Sequence, residues 1–414
     1  MALSHVGQTL TIDDIVAPET ETMQVGYCTN IHSGPTLDRV LDNLRANTVP
    51  VKQRVCPNEP MGIGLWLAQD AARQTLQDGQ WQRLQEFLDE AQLIPHTFNA
   101  FPFSDFHQPV VKHLVYEPDW SNSQRLQYSV DICEIVARLL RPDSLATVST
   151  LPLGWPHESP VDDSFFRRCA EHLIACAQHL QDIRQRTGTR VQLCLEPEPG
   201  CVLQTSDQLV EFLERYLLSG ASSDGVREHI GVCHDVCHAA VMFEPQADVL
   251  QRYADSGIAI GKVQISSAIE KRSDNSTGKV SHGIKQLQSF VEPRYLHQTT
   301  RRDAESIEFF EDLPLALAAT ETQSAAWRVH FHVPIHLATL ELLHTTQADI
   351  DECLKWFINA DYRTQFEVET YAWSVSPESV RSGSMVDSIV AELEWLQDRY
   401  PSLPTLNQFH DLGP

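Results

Sequence analysis

The chain has few basic residues, no long apolar run and no low-complexity segment. Lys and Arg number 31 against 56 Asp and Glu in 414 residues, so the formal net charge is −25. Such a chain repels phosphate backbones and anionic lipid surfaces, which argues against nucleic-acid and membrane partners. No stretch approaches the ~20 apolar residues of a membrane span. The first twenty residues also lack the basic and apolar regions of a signal peptide.

Cysteine is too sparse for a disulfide scaffold, with 10 in the whole chain. Cys194, Cys233 and Cys237 lie inside apolar runs, where a free thiol packs as a small buried hydrophobe. This use of cysteine is typical of a reducing compartment, and we therefore expect a cytoplasmic protein.

Short apolar, β-branched runs alternate with helical stretches along the chain. This alternation predicts parallel strands joined by crossover helices, and about eight such units predict a (β/α)8 TIM barrel. A doubly wound sheet is the alternative, but the first strand candidate ends in NIHSG at 30–34, not in a G-x-G-x-x-G turn. Nine strand candidates compete for eight barrel positions, so one is extra. They are Met23–His32, Met61–Ala68, Leu93–Phe103, Leu145–Trp155, Arg190–Gly200, Ile230–Ala240, Ile258–Ser267, Trp327–His336 and Thr364–Trp373.

One segment, 268–326, is too long for an ordinary loop between two barrel strands. We expect a single barrel domain over residues 1–414, with 268–326 as an insertion between the seventh and last strands. The insertion is expected to cover one end of the barrel and to contain a helix near Ile307–Ala319.

Polar residues recur at the carboxyl ends of the strand candidates, where barrel chemistry belongs. Glu196 follows VQLCL, a run apolar on both faces, and a carboxylate there is costly unless it is paired or bound to a metal. After the next strand come Asp235, which can hold a cation, and His238, which can bond a substrate hydroxyl. The alternatives are a solvated acid at Glu196, and a helix N-cap at Asp235 beside a partly buried imidazole.

Two further pairs, His330 with His332 and Glu367 with Glu369, each share one side of a strand because of its two-residue period. The second member of each pair is nearer the carboxyl end and is preferred, although buried histidines and acids often only bond their neighbours. Two or three carboxylates with one nitrogen or amide donor suit Mn, Mg, Co or Zn. Such a cation can hold vicinal oxygens of a polyol while a flanking carboxylate moves a proton between adjacent carbons.

In this order the motifs resemble those of the xylose-isomerase-like barrel superfamily, which includes sugar-phosphate isomerases, ketose epimerases and a repair endonuclease branch. The resemblance implies that Glu196, Asp235 and Glu369 are metal ligands, that His238 contacts substrate, and that Glu196 and Glu369 also transfer the proton. Gln264, in KVQIS, stands where the epimerases place a histidine ligand. Three outcomes follow: His332 replaces that imidazole, Gln264 ligates through its amide oxygen, or metal binding is lost.

The segments GYCTNIH, LEPEPG, KVQISSA, WRVHFHVPIH and EVETYAW together resemble the EboE-type metabolite traffic proteins, which are linked to making or moving secondary-metabolite precursors. We therefore expect a metal-dependent isomerase or epimerase acting on a small polyol or carbohydrate-like metabolite. A non-enzymatic carrier and a metal-dependent hydrolase are the alternatives, and an oligomer is compatible with the sequence.

A phosphorylated substrate would need a basic pocket, for which Lys262 and Arg301 are the suggestions. The substrate-binding candidates are His32, Asn99, His238, Trp155 and Lys262.

Overall fold

The computed structural model describes residues 24–156, 161–219, 223–273, 282–304, 306–319, 325–381, 383–401 and 403. The expectation about a signal peptide and the start of the first strand candidate at Met23 lie outside the described residues. Among the described helices, none combines the length and apolarity needed to cross a bilayer.

The strands are short and lie mostly within the sequence candidates. They are β1 Gln24–Tyr27, β2 Met61–Trp66, β3 Leu93–Asn99, β4 Leu145–Thr150, β5 Arg190–Leu195, β6 Ile230–Asp235, β7 Ile260–Ile265, β8 Ile269–Lys271, β9 Thr299–Arg302, β10 Ile307–Phe310, β11 Ala326–Val329, β12 Thr339–Leu340, β13 Leu343–Thr345 and β14 Gln365–Val368.

The helices fall mainly between these strands, and one follows the last strand. They are α1 Leu37–Asn43, α2 Val49–Val55, α3 Gln69–Thr75, α4 Gln80–Ala91, α5 Ser123–Leu139, α6 Asp163–Thr187, α7 Ser206–Phe212, α8 Ser223–His229, α9 Val236–Val241, α10 Gln246–Asp255, α11 His282–Leu287, α12 Leu313–Ala318, α13 Gln347–Ala360 and α14 Met385–Arg399.

Eight of the described strands form a parallel barrel in the order β1-β14-β7-β6-β5-β4-β3-β2. A single parallel bridge between Cys28 and Gly64 brings the two end strands together. β7 is buried at all six positions, as expected of a parallel strand covered on both faces. The helices pack apolar residues such as Leu173 and Leu180 of α6 into the core around the barrel. The predicted (β/α)8 barrel is confirmed.

The extra strand candidate is Trp327–His336. Its first residues belong to β11, which pairs antiparallel with β8 and β9 in a second sheet of six described strands, ordered β10-β9-β11-β8-β13-β12. The last barrel strand is β14, inside the candidate Thr364–Trp373. Because an apolar run does not reveal its hydrogen-bonding partner, the sequence could not show which candidate left the barrel.

The second sheet begins at Ile269 and ends at Thr345, whereas the expected insertion is 268–326; those limits stay a prediction. The helix expected over Ile307–Ala319 is wrong in its first part, since Ile307–Phe310 is β10 and pairs with β9. Helix α12 begins only at Leu313, after the N-cap Asp312. Pro314 explains that start, because proline is tolerated only in the first turn of a helix.

A second apolar core joins this sheet to the barrel. Trp327 of β11 and Phe331, which follows that strand, belong to the same buried cluster as Trp66, Phe106 and Tyr371, which lie at or beyond the carboxyl ends of barrel strands. The second sheet is therefore held over the end of the barrel where the polar residues meet.

Candidate metal centre

Three buried carboxylates, which we call the acidic cluster, meet at the carboxyl ends of separate strands. Glu196 follows β5, Asp235 ends β6 and Glu369 follows β14, and each is less than 5% exposed. One oxygen of each lies within 4.8 Å of the others. Burial, together with the neighbouring carboxylates, raises the pKa of both Glu196 and Glu369. The arrangement is therefore electrostatically costly without a source of positive charge.

Gln264 of β7 reaches into the acidic cluster and is fully buried. With its amide nitrogen turned inward, that nitrogen lies 2.8 Å from Asp235 Oδ2, 2.8 Å from Glu369 Oε2 and 2.5 Å from Glu196 Oε1. An amide nitrogen carries only two hydrogens, so it cannot donate to three carboxylates at once. With the amide oxygen turned inward, four oxygens would face one another, which requires a cation between them.

Neutral groups supply the other hydrogen bonds of the acidic cluster. Asp235 Oδ1 accepts from the His238 backbone N–H and the Ser266 hydroxyl, both at 2.8 Å. Glu369 Oε1 accepts from Asn30 Nδ2 at 2.6 Å. Among the described residues, Glu196 Oε2 has no hydrogen-bond partner. Three buried oxygen-donor residues with an unpartnered oxygen fit a divalent cation.

Lys262, two residues before Gln264, is paired with Glu367, and its charge lowers the pKa of Glu196 and Glu369 less than burial and the neighbouring carboxylates raise it. Its Nζ is fully buried inside the barrel and lies 2.6 Å from Glu367 Oε1, with further bonds to Phe98 O and the Ser149 hydroxyl. Lys262 is not among the residues that line the cavity described below, and its predicted contact with substrate stays a prediction. Both residues of β7 point into the barrel, but Lys262 lies about two residues, or ~6.6 Å, deeper than Gln264.

A histidine cluster, consisting of His238, His330 and His332, lies beside the acidic cluster. His330 Nε2 is 3.2 Å from His238 Nε2 and 3.2 Å from His332 Nε2. His332 Nε2 is 3.9 Å from Asp235 Oδ2, so the two clusters adjoin. Burial lowers the pKa of His238 to about 3 and of His332 to about 4, and it lowers the pKa of His330 in the same direction.

A cavity of about 510 Å³ opens onto both clusters. Its walls are largely aromatic, from the barrel loops and from the inserted segment, and its floor is polar. The aromatic lining residues are Phe101, Phe106, Tyr116, Tyr295 and Tyr371. The polar lining residues are Asn30, Asn99, Lys112, Glu196, Glu198, His238, His330, His332 and Glu369.

The structure brings most of the predicted site residues together. Glu196, Glu369, His238, His332 and Asn99 line the cavity. Asp235, a member of the acidic cluster, and Gln264, which contacts that cluster, do not line the cavity surface.

Three other candidates lie elsewhere. His32 forms a hydrogen bond with the Tyr27 hydroxyl, and Trp155 packs against Tyr116 with the ring centres 4.9 Å apart. Neither His32 nor Trp155 is among the residues that line the cavity. Arg301, suggested for a phosphate, lies in the second sheet, where it pairs with Glu308 and contacts Phe310. The positions of His32, Trp155 and Arg301 depend on how the loops and the second sheet pack against the barrel. The pattern of apolar residues in a strand does not determine that packing.

Several cavity residues lie outside the predicted site. Glu198, two residues beyond Glu196, lines the cavity and accepts hydrogen bonds from the Tyr116 hydroxyl at 2.8 Å and Gln298 Nε2 at 3.0 Å. His330 ranked below His332 but lies between two imidazoles. The two-residue period grouped both histidines correctly, whereas Gln298 and Tyr371 carried no sequence signal.

No protein-family model matches the chain, and no curated protein matches it either. Among solved structures, it is similar to a xylose isomerase-like TIM barrel protein from Mycobacterium smegmatis in complex with magnesium. The TM-score is 0.50 and the sequence identity 11%, covering 93% of this chain and 98% of that one. This likeness shows the fold alone, which is a TIM barrel.

Two epimerase structures are also similar to the chain. An L-ribulose 3-epimerase has a TM-score of 0.47 at 13% identity, covering 95% of this chain and all of that one. A D-tagatose 3-epimerase-like protein has a TM-score of 0.46 at 12% identity, covering 92% and 100%. Identities this low concern the fold alone, and the function of this chain is argued from its own site.

Proposed function

We propose that the protein is a divalent-metal-dependent isomerase or epimerase acting on an uncharged sugar- or cyclitol-type metabolite. One observation carries the proposal: the acidic cluster places three buried carboxylates together, and the two N–H groups of Gln264 cannot satisfy them all. When bound, a divalent cation would polarise a substrate carbonyl and stabilise the negative charge that develops on its oxygen. The magnesium bound by the similar Mycobacterium smegmatis barrel supports this class of cation.

The acidic residues reach the cavity from different sides. Glu196 follows β5 and Glu369 follows β14, and two other strands, β6 and β7, separate these strands in the barrel. Epimerisation requires removal of a proton from one face of a carbon and delivery to the other, and two separated carboxylates suit that task. Asn30, which donates to Glu369, holds one of them in place.

His238 is placed to orient the substrate. Its Nδ1 faces Pro197 O at 3.0 Å, so the proton of the neutral ring resides there. Its Nε2 is then a hydrogen-bond acceptor on the cavity wall. A substrate hydroxyl can donate to it, which would fix the ring relative to Glu196 and Glu369.

The charges lining the cavity favour an uncharged substrate. Lys112 is the cationic lining side chain of the described cavity, and its Nζ lies 2.5 Å from Asp312 Oδ2 of the inserted segment. A phosphate group would have to compete with Asp312 and would also face the acidic cluster. The aromatic walls instead suit the apolar face of a ring.

The motif resemblance to the EboE-type proteins supports the further proposal that this metabolite is a secondary-metabolite precursor.

Metal analysis of protein purified without chelators tests the premise. We expect bound divalent metal in the wild type and its loss from the acidic cluster in Glu196→Gln and Asp235→Asn. Glu211→Gln, the same chemical change on an exposed helix position, is the control and should retain the metal. Equal metal content in all four proteins would show that the acidic cluster does not bind the metal.

Deuterium exchange tests the reaction. Incubation in deuterated water with a panel of unphosphorylated ketoses and keto-cyclitols should introduce deuterium at the carbon beside the carbonyl. Glu369→Gln should slow this exchange at least ~100-fold, because it removes a proton-transfer group. Exchange that depends on neither Glu196 nor Glu369 would contradict the proposed mechanism.

A metabolite-binding carrier is the second candidate, and Gln264 favours it. The inward-turned amide nitrogen partly neutralises the acidic cluster without a cation. In that case a polyol from the same panel would bind to metal-free protein, no deuterium would enter it, and added Mg²⁺ or Mn²⁺ would not raise the melting temperature.

A further inference from the structure

Asn30 has one amide atom that the isomerase proposal leaves unused. The residue follows β1, is 2% exposed and lines the cavity. Its Nδ2 donates to Glu369 Oε1 at 2.6 Å, which fixes the orientation of the amide because a carboxylate accepts only from the nitrogen. Its Oδ1 then has no hydrogen-bond partner in the part of the chain that the structure describes. A buried acceptor without a donor is costly, so a ligand that supplies a donor gains binding energy there.

Asn99, the last residue of β3, presents the complementary group. It also lines the cavity and is 2% exposed. Its Oδ1 accepts from the Phe101 backbone N–H at 2.9 Å, so its nitrogen points the other way. The described acceptors of that Nδ2 are distant, Glu369 Oε1 at 3.5 Å and Cys28 Sγ at 3.7 Å, and the first is beyond the ~3.2 Å of an ordinary N–H···O bond. Asn99 can therefore donate to an oxygen of a ligand.

The two amides together match one hydroxyl group. Asn30 offers an acceptor and Asn99 a donor, and both nitrogens face the same oxygen of Glu369. A hydroxyl both donates and accepts, so it can bond the two amides at once. A carbonyl oxygen would satisfy only Asn99, and an ammonium group would satisfy only Asn30. A methylene would leave both amides unpaired.

The position of Glu369 indicates which hydroxyl this is. In the order of the barrel, β14 lies between β1 and β7, so Glu369 stands between Asn30 and the rest of the acidic cluster. In the proposed function, on which this step rests, the substrate carbonyl lies at the acidic cluster and Glu369 exchanges a proton with the carbon beside it. The amides then face the next carbon along the substrate.

We propose that Asn30 and Asn99 bind the hydroxyl two carbons from the substrate carbonyl, and so restrict the substrates to polyols that carry it. In a 2-ketose this group is the 4-hydroxyl. Asn30 is thus a specificity-determining residue as well as a support for Glu369.

Binding of ketohexoses and their deoxy analogues tests this subsite. Isothermal titration calorimetry on the protein as purified compares each unphosphorylated 2-ketohexose with its 4-deoxy and 6-deoxy forms. At least one ketohexose should bind, and its 4-deoxy form should bind at least ~10-fold more weakly, because two buried amides lose their partner. In Asn30→Leu, a side chain of similar size without the acceptor, this ratio should fall below ~3-fold while the 6-deoxy ratio stays at the wild-type value. A merely structural role of Asn30 would weaken all three ligands alike and leave both ratios unchanged.

Asn99→Ala is a second variant on a different strand, and it should also reduce the 4-deoxy ratio. The matched control is Asn47→Leu, since Asn47 Nδ2 also donates, to Asn43 O at 3.2 Å, but Asn47 is not among the residues that line the cavity. It should keep the full ratio. Equal binding of a ketohexose and its 4-deoxy form by the wild type overturns the proposal. So does absence of binding by every ketohexose at millimolar concentration, or a full ratio in whichever of the two cavity variants folds.

The isomerase proposal fails by a different result. A 4-deoxy ratio that depends on Asn30, in a protein that exchanges no deuterium, would refute the isomerase and leave the hydroxyl subsite in a carrier. Equal exchange rates for a ketohexose and its 4-deoxy form would support the isomerase and overturn the subsite.

Discussion

Gln264 shows how charge balance decides the orientation of one side chain. Without a cation, its nitrogen must face Glu196, Asp235 and Glu369 to offset their repulsion. With a cation bound, the amide oxygen of Gln264 is favoured to point toward the carboxylates, because it is then a hard ligand that suits Mg²⁺ or Mn²⁺. The amide can thus serve both states by turning over, which a histidine at this position could not do.

Glu392 of α14 is a second buried acid, and it supports the segment next to the site. Its Oε1 accepts from the Thr370 hydroxyl at 2.6 Å and from the Ile335 backbone N–H at 3.0 Å. Burial raises the pKa of Glu392 from 4.5 to about 7. The folded state therefore holds a proton that the unfolded state releases above pH 4.5. The stability from this group is full below pH 4.5 and is lost as the pH rises through 7.

Glu392→Gln should remove this pH dependence, because a glutamine oxygen accepts the same two hydrogen bonds without a charge. We expect the variant to match the wild type near pH 5 and to exceed it at pH 8 by at most about 3 kcal/mol, at ~1.4 kcal/mol per pKa unit. Urea unfolding at both pH values measures the difference, with Glu211→Gln as the exposed control. A gap of equal size at both pH values would exclude titration of Glu392 as the cause.

Barrel closure between β1 and β2 depends on glycine. A Cβ at Gly26 would lie 2.7 Å from Gly62 O and 2.9 Å from His96 Cε1. The first of these is a backbone atom and cannot rotate away. A side chain at Gly26 would therefore push apart the two strands that complete the barrel.

Gly26→Ala should destabilise the protein by about 1–3 kcal/mol, the cost typical of overpacking. Gly225→Ala is the control: its nearest neighbour to an added Cβ is 3.8 Å away, and it lies in helix α8, where alanine should stabilise by up to ~1 kcal/mol. Equilibrium urea unfolding gives both values. Equal stability of Gly26→Ala and wild type would show that the strands can separate without cost.

At the scale of the whole molecule, Arg328 of β11 ties the second sheet to the barrel. Its guanidinium bonds Glu270 of β8 at 3.1 Å, Ala240 O of α9 at 2.8 Å and Asp349 of α13 at 3.3 Å. Because His330 and His332 follow β11 directly, this anchor also positions the histidine cluster over the acidic cluster.

Arg328→Met should loosen the second sheet while leaving the barrel folded, since bonds to charged groups contribute about 1.5–3 kcal/mol each. Amide hydrogen exchange in β8, β9 and β11 should become at least ~10-fold faster, with β4 and β5 unchanged. Arg272→Met is the matched control: Arg272 also bonds Glu270 at 3.1 Å, but it is 63% exposed and should have little effect. Unchanged exchange in Arg328→Met would mean that the apolar core alone docks the sheet.

The barrel and the acidic cluster could be predicted from local patterns. Runs such as VQLCL mark strands buried on both faces, and a carboxylate directly after each run must lie at a strand end. Because all parallel strands point the same way, those ends meet at one rim, so Glu196, Asp235 and Glu369 converge whatever the loops do.

The histidine cluster, the depth of Lys262 and the departure of Trp327–His336 from the barrel were decided by tertiary structure. Each depends on a partner distant in sequence: Gln298 for His330, Glu367 for Lys262, and β8 with β9 for β11. The two-residue period tells which side of a strand a residue faces. It does not tell which sheet the strand joins or how deep the residue lies, because strand pairing and packing across the chain set both.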